Sequence, residues 1–159
     1  MQQNNSNLNV FLSGSISIDF LPDEFKRLLD AIVEHNFNVI IGDAFGADLI
    51  IQKYLLSQGY KNVSVYFSSD KIRNNAGKWN SVRIENPENK TGREMYFFKD
   101  IAMAEDADIA FMLWDGKSLG TAKNIERITA LGKPFEVLHT NVLQTNSFFE
   151  TRFKILLSI

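Results

Sequence analysis

The stretch Ala107-Asp108-Ile109-Ala110-Phe111-Met112-Leu113-Trp114-Asp115-Gly116-Lys117-Ser118-Leu119-Gly120-Thr121-Ala122-Lys123-Asn124-Ile125 runs from a strongly apolar segment through a turn into a helix start. Ala107 to Trp114 is a continuous rather than an alternating apolar run, the pattern of a strand that helices cover on both faces. Asp115-Gly116 ends it. The segment from Gly120 opens a helix that stops at Gly132-Lys133-Pro134.

The same alternation extends in both directions. Asn9 to Gly14 reads as a buried strand, and Leu21-Pro22-Asp23-Glu24 sets a proline and two acids at a helix start. Phe25, Leu28, Leu29, Ile32 and Val33 then mark one helical face. Phe37 to Ile41 is a second strand, cut off at Gly42-Asp43. A helix follows from about Gly46, with Ile50, Ile51, Tyr54 and Leu55 on one face, and ends near Gly59. Val63 to Phe67 is a third strand. Thr91-Gly92-Arg93-Glu94 opens a helix marked by Phe97, Phe98, Ile101 and Ala102, while Lys99 and Asp100 read as its solvated face. Phe135 to Leu138 is a last strand, and Phe149, Phe153, Leu156 and Leu157 put a helix on the tail. Strands alternating with helices argue for βαβ crossovers. The expectation is a three-layer, Rossmann-like α/β domain with a mostly parallel sheet of about five strands.

The chain has 159 residues, enough for one domain over 1–159. Residues 1–8 are expected to be disordered, 68–90 to form an irregular loop or lid, and 147–159 a C-terminal helix. Formal net charge is −2, so no global basic field draws the chain to nucleic acid, which is expected to be an unlikely partner. The absence of cysteine, with only His35 and His139, leads to an expectation of no metal and no cofactor. No apolar run nears the ~20 residues of a membrane helix, and Met1 to Asn9 is unlike a signal peptide, so a cytoplasmic protein away from membranes is expected.

In open α/β sheets ligands bind at the carboxyl ends of the strands. Small and polar residues collect there: Ser13-Gly14, Gly42 to Asp48, and Asp115 to Thr121. Each lies where free backbone N–H groups of a helix start favour an anion. Gly116 and Gly120 permit close backbone approach, and Ser118 and Thr121 offer hydroxyls. That set suits a phosphate, or equally an N-cap by Ser118 with glycines that only turn the chain. Gly42 and Gly46 free the next loop, whose Asp43 suits ribose hydroxyls. Asp48 suits either a ligand or the helix dipole. Asp115 reads as a crevice acid or a turn-capping residue. Arg93 at a helix start runs against the dipole and points to a ligand or an ion pair. Trp79, Arg73 and Asn74 suit a lid with a stacking aromatic, or a patch packed on the body. Neither glycine loop completes a dinucleotide or P-loop pattern. Phe148, Phe149 and Phe153 suit a sheet edge of the same chain or the partner of a homodimer.

These loops resemble the SLOG superfamily of Rossmann-like proteins. That group includes the DNA-processing protein A family and the LOG cytokinin-activating phosphoribohydrolases, also called lysine decarboxylase-like. The resemblance is carried by Ser13-Gly14, Gly42-Asp43-Ala44-Phe45-Gly46-Ala47-Asp48 and Gly120-Thr121, and spans about Asn9 to Leu138. A more distant likeness is to nucleoside 2-deoxyribosyltransferases. The resemblance implies binding of a nucleotide-derived small molecule, with phosphate or ribose at the glycine loops. In the phosphoribohydrolases Gly-Thr is followed by a Glu that acts in catalysis; here that position is Asn124, which bonds a hydroxyl but supplies no carboxylate base. The expected site is Ser13, Gly14, Gly42, Asp43, Gly46, Asp48, Arg93, Asp115, Ser118, Gly120, Thr121 and Asn124. For the alternative, an enzyme acting at an N-glycosidic bond, the candidate catalytic acids are Asp43, Asp115 and Glu94.

Overall fold

The computed structural model describes residues 8–141 and 147–159; residues 1–7 of the segment expected to be disordered lie outside the described residues. The elements run β1 (Asn9–Gly14), α1 (Asp23–Glu34), β2 (Asn38–Gly42), α2 (Ala47–Ser57), β3 (Val63–Phe67), β4 (Asn80–Arg83), α3 (Arg93–Asp106), β5 (Ile109–Trp114), α4 (Leu119–Ala130), β6 (Phe135–His139) and α5 (Ser147–Leu157). Alternate residues of each strand face opposite sides, and both sides are apolar. On one side Val10, Leu12, Ile41, Val65 and Phe111 meet Phe25, Leu29 and Ile32 of α1, Ile51 and Leu55 of α2, and Phe149 and Phe153 of α5. On the other, Phe11, Ile40, Ala110 and Met112 meet Met103 and Ala104 of α3 and Ile128 of α4. The result is the expected three layers, with Phe149 stacked on Phe25 at 5.9 Å.

The sheet has six strands, all parallel, in the order β4-β3-β2-β1-β5-β6. The expectation of about five omitted β4, which lies inside the stretch read as an irregular loop. Of Asn80-Ser81-Val82-Arg83 only Val82 packs toward the core, because the strand forms the sheet edge, so it carries no apolar run. It pairs with β3 from Ser64↔Asn80 to Phe67↔Arg83. The connection between them, residues 68–79, contains no helix. From β1 the chain builds outward through β2, β3 and β4, then returns through α3 to place β5 on the other flank of β1. The order reverses between β1 and β5, which is where a parallel sheet opens a crevice beyond its carboxyl edge. Among the described residues no helix is long and apolar enough to cross a membrane.

Candidate functional site

The three polar turns meet at this edge. The Ser15 backbone N–H donates to Leu113 O at 2.9 Å, and Ala47 N–H donates to Ser15 O at 3.1 Å. The Ser15 hydroxyl lies 2.8 Å from the Ser118 hydroxyl and accepts the Asp115 N–H at 2.9 Å. Beside this junction opens a crevice of about 480 Å³. Ser13 and Gly14 of β1, Asp48 of α2, and Ser118, Gly120, Thr121 and Asn124 at the start of α4 line it. Arg93, Tyr96 and Phe97 of α3 border it as well, above the buried Lys99 and Asp100, with Arg73, Lys117 and Lys123 also in the lining. Eight of the twelve residues named from sequence therefore border one cavity, while Gly42, Asp43, Gly46 and Asp115 do not.

The turn after β5 is organised by Asp115. Its Oδ2 accepts the Ser17 hydroxyl at 2.6 Å, and its Oδ1 accepts the Lys117 and Ser118 N–H groups, each at 2.8 Å. Chiefly the Ser17 hydrogen bond, with help from these amides and against some desolvation, lowers its pKa to about 2. Asp115 thus stays ionised as the turn-building residue of the two readings. Ser118 occupies the N-cap position of α4 without a side-chain capping bond; its hydroxyl donates instead to Thr121 Oγ1 at 3.1 Å. The amides opening α4 thus have no cap from this side chain. Gly116 supplies the left-handed backbone of the turn (φ 79°). Gly120 sits within α4, lines the crevice and has open space where a Cβ would be.

The face of α3 differs from its apolar spacing. Lys99, Asp100, Met103 and Ala104 are buried and Ile101 is exposed. Lys99 and Asp100, expected on a solvated face, form the crevice floor. Lys99 Nζ is 2.6 Å from Asp100 Oδ1, and Arg127 Nη1 lies 3.9 Å from Asp100 Oδ2. The Arg127 Nη1 also donates to Asn124 Oδ1 at 2.8 Å, and Asn124 Nδ2 donates to Ser13 Oγ at 3.1 Å. A carboxylate and a cation side by side on one helix are individually ordinary; only the docking of α3 on β1 and β2 makes them a buried pair.

Asp48 completes the floor. Its Oδ2 accepts the Ala44 N–H at 3.2 Å and lies 2.7 Å from where a Cβ on Gly42 would sit. Burial raises its pKa to about 7, against the opposing pull of Lys99. The unfolded chain ionises this carboxyl near 3.8, so its proton is retained only by the folded state between about pH 4 and 7. Folding stability from this group is full below pH 4 and is lost as pH rises to about 7. Asp48→Asn, which has no proton to lose, is therefore expected to exceed the native chain in stability by about 2–4 kcal/mol at pH 8 and to match it near pH 4 in urea unfolding. Equal differences at both pH values would remove this account.

Asp43 is fully buried and serves the 68–79 connection. Its Oδ2 accepts the Arg73 backbone N–H at 2.8 Å, its Oδ1 accepts Arg73 Nη2 at 2.7 Å, and its carbonyl accepts Asn74 Nδ2 at 2.9 Å. Gln52 Nε2 donates to Gly42 O and Asn74 O, and its Oε1 accepts the Ala76 N–H. Trp79 turns away from the crevice and donates its Nε1–H to Tyr60 O at 2.8 Å, the body-packing reading of that residue. The connection is strapped down, and Arg73 alone of the three lid candidates lines the cavity. Glu94 is exposed and pairs with Lys90 at 3.6 Å. Among the described residues Arg93, Lys117 and Lys123 have no carboxylate partner, while Lys123 and Arg127 flank the Phe97 ring at 5.5 and 5.4 Å. Tyr96, Phe97 and Lys123 escaped sequence reading because a helical aromatic or lysine carries no local mark of the cavity it faces.

No protein-family model matches the sequence, and no curated protein shows significant similarity to it. Solved structures do match the fold. DNA processing protein A from Helicobacter pylori, described for its single-stranded DNA binding mode, superposes with a TM-score of 0.64 at 15% identity, covering 96% of this chain and 75% of that one. DNA processing protein A from Streptococcus pneumoniae gives 0.63 at 14% identity, covering 94% of this chain and 56% of that one. The match establishes a Rossmann-like fold of the class expected from sequence. It also overturns the expectation that nucleic acid is an unlikely partner, since a protein of this fold binds single-stranded DNA. That expectation rested on whole-chain charge, which does not describe a local rim holding Arg93, Lys117 and Lys123.

Proposed function

We propose that the crevice binds a nucleotide or nucleotide-derived ligand, its phosphate against the β5–α4 turn and its ribose and base toward α3. The observation that carries this reading is that Arg93, Lys117 and Lys123, which among the described residues have no carboxylate partner, line the same cavity as the Tyr96 and Phe97 rings. The cations and the uncapped start of α4 suit a phosphate. The Thr121 hydroxyl is a neutral hydrogen-bonding group that suits a sugar hydroxyl, beside an Asn124 amide that Ser13 and Arg127 hold in place. Binding is favoured over N-glycosidic cleavage because Asp43, Asp115 and Glu94 lie outside the lining, each already bonded to other groups.

A second reading follows from the fold match: the bound nucleotide belongs to a single strand of DNA. Calorimetry with AMP and anisotropy with a labelled oligo-dT test the two together. AMP is expected to bind and to compete with the oligonucleotide, and Arg93→Ser with Lys123→Ser to weaken both by about 10-fold. Each lost phosphate contact should also lower the salt slope of oligonucleotide binding by about 1. Oligonucleotide binding that AMP does not displace favours the single-strand reading alone. Folded protein that binds neither probe rejects both.

A further inference from the structure

We propose that Arg73 and Tyr96 form the base-recognising wall of the crevice, a flat platform for a nucleobase; this deepens the nucleotide reading and rests on it. The Arg73 Cζ lies 3.8 Å over the centroid of the Tyr96 ring, and both residues line the cavity. The guanidinium is no free phosphate-binding cation, because the fully buried Asp43 carboxylate sits 2.7 Å from its Nη2 and matches its charge. A cation already paired adds little to the hold on a second anion. What it retains is a delocalised plane.

That plane is placed with unusual care for a connection without secondary structure. Asp43 takes both the backbone and the side chain of Arg73, and Gln52 fixes the chain just after it through Asn74 O and the Ala76 N–H. Among the described residues Arg73 Nε is the one buried side-chain polar atom that lacks a hydrogen-bond partner. The guanidinium carbon thus sits over the Tyr96 ring, and the Asp43 pairing fixes the side chain there. Its side chain keeps 20% of its surface exposed in the cavity wall. Planar bases stack on arginine and aromatic planes irrespective of their hydrogen-bonding edge. The platform therefore reads the presence of a base more than its identity, while Arg93, Lys117 and Lys123 hold the phosphate end.

The test compares AMP with ribose 5-phosphate, which has the same sugar and phosphate and no base. The native chain is expected to prefer AMP by about 10-fold or more, the worth of one stacked base. Tyr96→Leu should collapse that affinity ratio, and Tyr96→Phe, which keeps the ring, should preserve it. Arg73→Lys keeps a cation beside Asp43 but no plane, and should collapse the ratio independently of how Tyr96→Leu folds. Thermal melts confirm that each variant tested is folded. Equal affinity of the native chain for the two probes, or a ratio unmoved in Arg73→Lys and Tyr96→Leu, overturns the platform and leaves the phosphate reading standing. Binding of neither probe overturns both.

Discussion

Asp43→Ala is expected to lower the unfolding free energy by about 3–5 kcal/mol, the cost of breaking a buried ion pair from one side. Nothing of Asp43 reaches solvent, and both its oxygens are engaged by Arg73. Alanine leaves the guanidinium without a counter-charge and the turn without the acceptor that sets its course. Arg73 is 20% exposed and gains some water on relaxing, which places the loss in the lower half of that range. Asp43→Asn keeps the shape and one acceptor and is expected to lose about half as much. Urea unfolding gives the magnitude, and hydrogen exchange at residues 73–76 should quicken before the sheet opens. A loss below about 1 kcal/mol would show that the connection holds itself.

Gly46→Ala is expected to be comparably damaging, and Gly92→Ala provides its control. Both glycines precede a helix with nearly the same backbone, φ 74° and ψ −127° at Gly46, φ 63° and ψ −140° at Gly92, a region that costs an L-residue about 1–3 kcal/mol. They differ in surroundings. A Cβ on Gly46 would lie 2.2 Å from the backbone oxygen of Ile16, while none lies within 4 Å at Gly92. The first substitution must push the β1–α1 loop away from α2, adding about 1–3 kcal/mol of overpacking. It should therefore destabilise more than the second in parallel denaturation curves. Because Ser15 in that loop bonds Ala47 and Ser118, it should also weaken ligand binding. Equal destabilisation by the two variants would mean that the loop yields freely.

Most of the fold is legible in the sequence because most of its strands are short apolar runs and α1, α2 and α3 start at acids or just after glycines. Ala107 to Trp114 reads as a buried strand, and β5 is one. The convergence of three turns at the sheet edge is legible too, since parallel topology brings strand ends together whatever their separation along the chain. What resists reading is set by tertiary context. Phe97, Phe98 and Ile101 of α3 share an apolar spacing, yet the helix buries Lys99 and Asp100 because those two find each other and Arg127 beneath the crevice. Asp43 looks like a ribose acceptor at a strand end. It is instead spoken for by Arg73, thirty residues on, a pairing that no local pattern announces.

The polarity that hides β4 from a sequence reading also protects the molecule in solution. This outermost strand leaves one row of backbone donors and acceptors open to water, the kind of margin on which a neighbouring chain can build a continuous ribbon. Its four residues are Asn, Ser, Val and Arg, with three of them exposed, and Arg83 reaches toward Asp70 at 3.9 Å. A short, charged border of this sort gives an incoming strand little to bury and a cation to displace. Arg83→Val and Ser81→Val together should convert it into a template for fibrous self-association.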